Sequence, residues 1–219
     1  MGWLLDVVRL LAKGGFAMIP LMFCSFWSVT VLFERWFRIK AAQIDVSEAV
    51  RRAEDALFDG KPDTAVRILE DCDGPVTRVL AAGIRNRHLG ERGIERAMEE
   101  QGMVETRKLT RWLGSLDTII TIAPLLGLLG TVTGMISAFH VIGSTEGLST
   151  PTAITGGVAE ALIATATGLA IAIFTLVGYN HLQERIKNIV TEIEHRGTAM
   201  VNVLVEAGEM SNEIKSLSA

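Results

Sequence analysis

Hydrophobic and polar positions are sharply segregated along the chain. Gly14–Phe33 has no charged residue until Glu34, Thr118–Phe139 has no Asp, Glu, Lys or Arg, and Gly156–Tyr179 carries Glu160 alone. Each run approaches the roughly 20 residues that a helix needs to cross a bilayer. Glu34–Asp117 and the tail after the third run are polar. Met1–Lys13 places Trp3, Leu4, Val7, Val8 and Leu11 against Asp6, Arg9 and Lys13, the spacing of an amphipathic helix lying on a membrane face. The first run is too long for the apolar core of a signal peptide and ends in Glu34-Arg35-Trp36 instead of small residues, so cleavage is not expected.

The polar stretches read as helices. Asp45 or Ser47 caps a helix through Phe58, and Asp59-Gly60 stops it. Pro62 and Pro75 suit first helical positions. From Gly90 the pattern stays helical through Arg111 into the second apolar run. A continuous helix over 91–142 would be roughly 78 Å long. The third run continues into a polar helix in which Ile186, Ile189, Ile193 and Met200 form a stripe.

The expected architecture is an all-α integral membrane protein. Residues 1–13 form a periplasmic amphipathic helix, 14–34 the first transmembrane helix, and 35–112 a cytoplasmic helical region. Residues 113–142 form the second transmembrane helix, 143–155 a periplasmic loop, 156–180 the third transmembrane helix, and 181–219 a cytoplasmic C-terminal helix. Two of the three spans extend far into the cytoplasm. Arg35, Arg38, Lys40, Arg107, Lys108, Arg111, Arg185 and Lys187 flank the inner ends, while Gly143–Thr155 has no Lys or Arg. This asymmetry places the N-terminus outside and the C-terminus in the cytoplasm.

Composition sharpens the picture. Half the residues are apolar (49%), yet the charged fraction, 21%, is that of a soluble protein; the chain has membrane and aqueous parts. A net charge of −4 gives no basic balance for nucleic acid. Cys24 lies in an apolar run and Cys72 in a charged region, so neither a disulfide nor a metal cluster is expected. One His and one Glu, His140 and Glu160, supply too few ligands for a metal.

Candidate chemistry lies in the second and third spans. With outer boundaries near Ile142 and Gly156, Thr131 and Thr165 both fall about 14–16 Å deep, near mid-membrane. Their hydroxyls can bond their own helix carbonyls or serve a ligand. Ala123, Gly127, Gly130, Gly134 and Ala138 form one small-residue stripe, and Gly157, Ala161, Ala164, Gly168 and Ala172 another. Such stripes pack spans of one chain closely, or make room for a partner's helix. Glu160 lies about one turn inside the outer boundary, where it is a functional candidate or an interfacial group that reaches water or pairs with His140. Pro124 removes a hydrogen bond from the second span and is expected to kink it. Asp117 is expected to be solvated. The spans hold no paired carboxylates, and the chain shows no Walker A, GxSxG or HExxH pattern, which argues against an enzyme. A mid-membrane titrating group would have to come from a partner.

APLLGLLGTVTGMISAF (Ala123–Phe139) and GGVAEALIATATGLAIAIFTLVGYN (Gly156–Asn180) resemble the paired signatures of the MotA/TolQ/ExbB proton channel family. Three spans and a polar segment between the first two are similar to its ExbB/TolQ branch; MotA-type stators have four. The resemblance implies a homopentameric ring whose second and third spans line a pore. That pore would hold two copies of an ExbD/TolR-like single-span partner, each supplying a proton-binding Asp. A TonB-like or TolA-like protein would be a further partner. The resemblance implies no cofactor. It makes the proton the coupling ion, with sodium the other candidate, in a bacterial inner (cytoplasmic) membrane. By motif position it makes Thr131, Glu160 and Thr165 ion-pathway residues. It makes Gly127, Gly130, Gly134, Ala161 and Gly168 packing positions for the partner helices. His140 is a candidate for proton entry. The competing readings are a non-conducting scaffold and an intramembrane enzyme. Within the family, ExbB-like, TolQ-like and gliding-type roles remain open.

Overall fold

The computed structural model describes residues 15–144 and 151–217, with side chains over 15–140 and 155–208. The expected amphipathic helix at 1–13 and the loop residues 145–150 lie outside the described residues. Seven α-helices and one short 3-10 turn make up the described chain: α1 (Met18–Ala42), α2 (Ser47–Phe58), α3 (Pro62–Asp71), α4 (Pro75–Arg85), the turn Arg87–Leu89, α5 (Glu91–Thr110), α6 (Leu113–Ser144) and α7 (Pro151–Leu217). Among the described residues there is no strand. Helices α1, α6 and α7 are long and apolar enough to cross a membrane. The chain divides into two compact units, one of residues 15–35 and 112–181 and one of 36–111 and 182–217.

In the first unit the three apolar helices meet at Met18 and Leu21 of α1, Ile119 and Ala123 of α6, and Ile171 and Ala172 of α7, all buried. Cys24, Trp27 and Leu126 pack against this core. Two hydroxyls inside it, Ser28 and Thr175, donate to Ser25 O (3.0 Å) and Ile171 O (2.7 Å) on their own helices. The larger apolar side chains face outward: Phe23 and Phe26 on α1, Leu125 and Ile136 on α6, Leu162 and Ile173 on α7 are exposed. That is the reverse of a soluble core and fits a bilayer, where small residues join helices and large ones face the chains around them.

The second unit is built from α2–α5 and the polar part of α7. Starts and stops follow local chemistry. Asp45 accepts the Ser47 N–H (3.0 Å) just before α2, although the capping position itself is Val46. Gly60 (φ +73°) turns the chain before Pro62 opens α3, and Pro75 opens α4. The stripe on α7 is buried as its spacing predicts: Ile186, Ile189, Ile193 and Met200 all lie in the core. Arg196 donates to Ser47 Oγ (2.9 Å) and Arg185 to Gln43 Oε1 (2.6 Å), tying α7 to the start of α2 and the end of α1.

The structure corrects one expectation here. The helix predicted to run unbroken over 91–142 stops at Thr110 and restarts at Leu113. Arg111 is extended (ψ 135°) and Trp112 adopts a left-handed φ of +68°. For a residue with a Cβ this costs roughly 1–2 kcal/mol. The compensation is local. The Trp112 ring meets Trp27 edge-on at 6.1 Å, Ser115 Oγ donates to Trp112 O (2.7 Å), and Trp27 Nε1 donates to that same Oγ (3.3 Å). Only α7 therefore continues from an apolar span into a long polar helix without interruption. Pro124 sits inside α6, which passes through it.

Candidate functional site

The site grows from the close approach of α6 and α7. A Cβ at Gly127 would lie 2.9 Å from Thr165 Cα and 3.0 Å from Ala164 O; one at Gly134 would lie 3.0 Å from Gly157 O and 3.1 Å from the Ala161 Cβ. At Gly130 it would meet Ala164 and Ala17 (2.5 and 3.0 Å from their Cβ atoms), and at Gly168 it would collide with the carbonyl of Ala123. At Gly127, Gly130 and Gly168 an added Cβ would force the neighbouring atoms apart, and at Gly134 it would fit only with a small shift, so glycine lets the two helices come this close. The five positions expected to pack against partner helices, Gly127, Gly130, Gly134, Ala161 and Gly168, thus face the neighbouring span of the same chain. The seam within the chain takes up both stripes.

The same contacts fix the register. With Gly127 opposite Thr165, Gly130 opposite Ala164 and Gly134 opposite Ala161 and Gly157, Thr131 comes level with a point near Leu162. Thr131 and Thr165 are therefore offset along the helix pair by about one turn, some 5 Å. Glu160 comes level with Thr133 by the same register. His140 lies seven residues further along α6, about 10 Å away. The His140 side chain is exposed.

Thr165 does something neither reading of the sequence anticipated. Its hydroxyl donates across the seam to the carbonyl of Gly127 (2.9 Å). Thr131 keeps to its own helix, donating to Leu128 O (2.6 Å). In both cases the proton is committed to a backbone carbonyl, which leaves the oxygen lone pairs as acceptors. Replacing Thr165 by Val removes this bond across the seam, and should lower stability by about 1 kcal/mol. Ser at 165 should hold it within a few tenths. Thermal unfolding of the detergent-solubilised protein would show both.

Glu160 is half-buried and reaches the start of α1. A Cβ placed on Gly15, which has a φ of +69°, would fall on the Glu160 carboxylate. Gly15 was missed in the sequence because Gly14-Gly15 reads as the edge of an apolar run. The doubled glycine directly before the run was the available signal. Asp117 is exposed, as expected. Among the described residues, no three of His, Cys, Asp and Glu gather as metal ligands would.

Comparison with known proteins agrees with this architecture. Residues 71–195 match the model of the MotA/TolQ/ExbB proton channel family. The chain is 36% identical to an ExbB-like biopolymer transport protein of Synechocystis sp. over 173 residues, covering 78% of this chain and 68% of that one. It is 30% identical to the biopolymer transport protein exbB1 of Vibrio cholerae over 179 residues, 80% of this chain and 78% of that one. With the Tol-Pal system protein TolQ of Pseudomonas aeruginosa it shares 38% identity over 93 residues, 42% of this chain and 40% of that one. An all-helical chain with three membrane-crossing helices, two of them locked along a glycine seam, thus belongs to the MotA/TolQ/ExbB proton channel family, in its ExbB/TolQ branch.

Proposed function

We propose that this chain is the ring-forming subunit of a proton-driven motor in a bacterial inner membrane. In this reading five copies surround two copies of an ExbD/TolR-like single-span protein. Proton flow then does mechanical work on a TonB-like or TolA-like partner. The observation that carries the reading is the charge inventory of the spans. A member of a proton channel family has Glu160 as the single ionisable carboxylate between Gly156 and Tyr179, and none between Thr118 and Phe139. One carboxylate near one end makes no relay across a bilayer. The titrating group at mid-depth is therefore assigned to the partner as an Asp.

The chemistry follows from the hydroxyls. Thr131 and Thr165, with their protons donated to backbone, accept a hydrogen bond from the partner's Asp when it is protonated. When the Asp ionises, either hydroxyl can turn and donate to it, giving up a backbone bond. The collar thus serves both protonation states at small cost. Glu160 stands toward the outer mouth, where a charge costs less than at the midplane. The Lys and Arg distribution supports an outside N-terminus and a cytoplasmic C-terminus. The subunit supplies a polar pathway and does no covalent chemistry.

The test is native mass spectrometry of the complex extracted from its own membrane in mild detergent. Five copies carrying two copies of a small single-span protein with an Asp in its span are expected. A bare ring, or a large unrelated partner, would replace the motor by a scaffold and remove the role given to Thr131 and Thr165.

A further inference from the structure

The Glu160 carboxylate projects from α7 and lies against Gly15, just before the first turn of α1. The α1 turn is opened by Gly15, whose carbonyl accepts the Met18 N–H (3.1 Å), followed by Ile19 N–H to Phe16 O (3.2 Å). Gly15 meets two demands at once. Its φ of +69° is one that L side chains rarely adopt. Its missing Cβ is the space in which the carboxylate lies: a Cβ there would collide with Glu160 Oε1 and lie 2.7 Å from Cδ and 3.2 Å from Cγ.

We propose that Gly15 is a positioning residue for Glu160, and that the first turn of the first span is the seat that holds this carboxylate in one place. The inference deepens the motor reading and rests on it for its functional consequence. The physical case has three parts. A carboxylate among lipid-facing helices is costly unless its surroundings are polar. The start of a helix presents the positive end of the peptide dipoles. Lipid cannot supply it. A flexible side chain would otherwise sweep a range of positions; against Gly15 its carboxylate lies in the space a Cβ would fill, so a proton meets it at a defined point. Any side chain at position 15 displaces the carboxylate from that point.

The test uses the complete complex and four variants: Gly15→Ala, Glu160→Asp, the two combined, and Gly60→Ala. Gly60 shares the unusual φ (+73°) but has open space where a Cβ would go, so it isolates the backbone cost. Two quantities are read, the thermal midpoint in detergent and proton uptake into liposomes containing the complex. Gly15→Ala should lower the midpoint more than Gly60→Ala does. It should also slow proton uptake at least about tenfold with subunit stoichiometry intact. Glu160→Asp, which withdraws the carboxylate by one methylene, should restore part of both losses in the Gly15→Ala background. Gly60→Ala should leave uptake unchanged. The seat is overturned if Gly15→Ala matches the parent protein, or if its losses are not relieved by Glu160→Asp. If the parent complex itself takes up no protons, the motor reading fails. The midpoints then judge the seat alone, through the same rescue.

Discussion

Valine in place of Gly168 will separate α6 from α7 and lower the stability of the membrane unit by about 3 kcal/mol, at the upper end of the cost of overpacking. The reason is the identity of the colliding atom. A Cβ at 168 runs into the carbonyl of Ala123 and lies 3.2 Å from Gly127 Cα, both backbone, so no side chain can swing aside. The helices themselves must part, and Thr165 then loses Gly127 O. Gly156→Ala on the same helix is the comparison. Nothing lies within 4 Å of its Cβ position, and no measurable change is expected. Unfolding in detergent, followed by circular dichroism, distinguishes the two. Equal midpoints would mean that the seam is looser than its geometry.

The second large effect lies in the other unit. Glu105 of α5 has a side chain only 1% exposed. It accepts from Arg78 Nη2 on α4 (2.8 Å), Lys108 Nζ (2.8 Å) and Gln101 Nε2 (3.0 Å). Arg78 also pairs with Asp73. The arrangement is asymmetric. Arg78 is partly exposed and keeps Asp73 if Glu105 is lost, so Glu105→Gln should cost about 2 kcal/mol. Arg78→Met leaves a buried carboxylate with Lys108 and Gln101, and should cost about 3 kcal/mol or more.

The pH dependence has a definite sign. Burial pushes the Glu105 carboxyl up, but hydrogen bonds from Arg78 and Lys108, with their charges, outweigh it and hold the group below its ordinary range. A carboxyl depressed in the folded state contributes stability that is fully present above its unfolded value, near 4.3. That contribution is lost as pH falls through the lower folded value. Acid titration of unfolding should show the loss in the parent protein and a shallower loss in Arg78→Met, where burial no longer has its main opponent. Identical acid limbs would deny Glu105 this role.

The helices of both units were legible because their signals are local: the proline starts at 62 and 75, the glycine at 60, the charge-free runs and the α7 stripe. The break at Arg111–Trp112 was not legible. Neither residue is a helix breaker, and what stabilises the left-handed Trp112 is Trp27, 85 positions away. The site was legible in kind more than in arrangement. Sequence could pick Thr131, Thr165 and Glu160 and see the small-residue stripes. It could not say which surface the stripes face, because a glycine that admits a helix of its own chain and one that admits a stranger's are written alike.

The glycine and alanine seam has a consequence for motion. Neither residue has side-chain rotamers to freeze, so joining α6 to α7 along it carries almost no side-chain entropy cost. Ile119 and Ile171 pack beside it, but at Gly127, Gly134 and Gly168 backbone rests on backbone, with Thr165 pinned to Gly127 across it. The pair should respond to a push as one stiff plate, and displacement at one face of α6 should reach the far face of α7 undiminished.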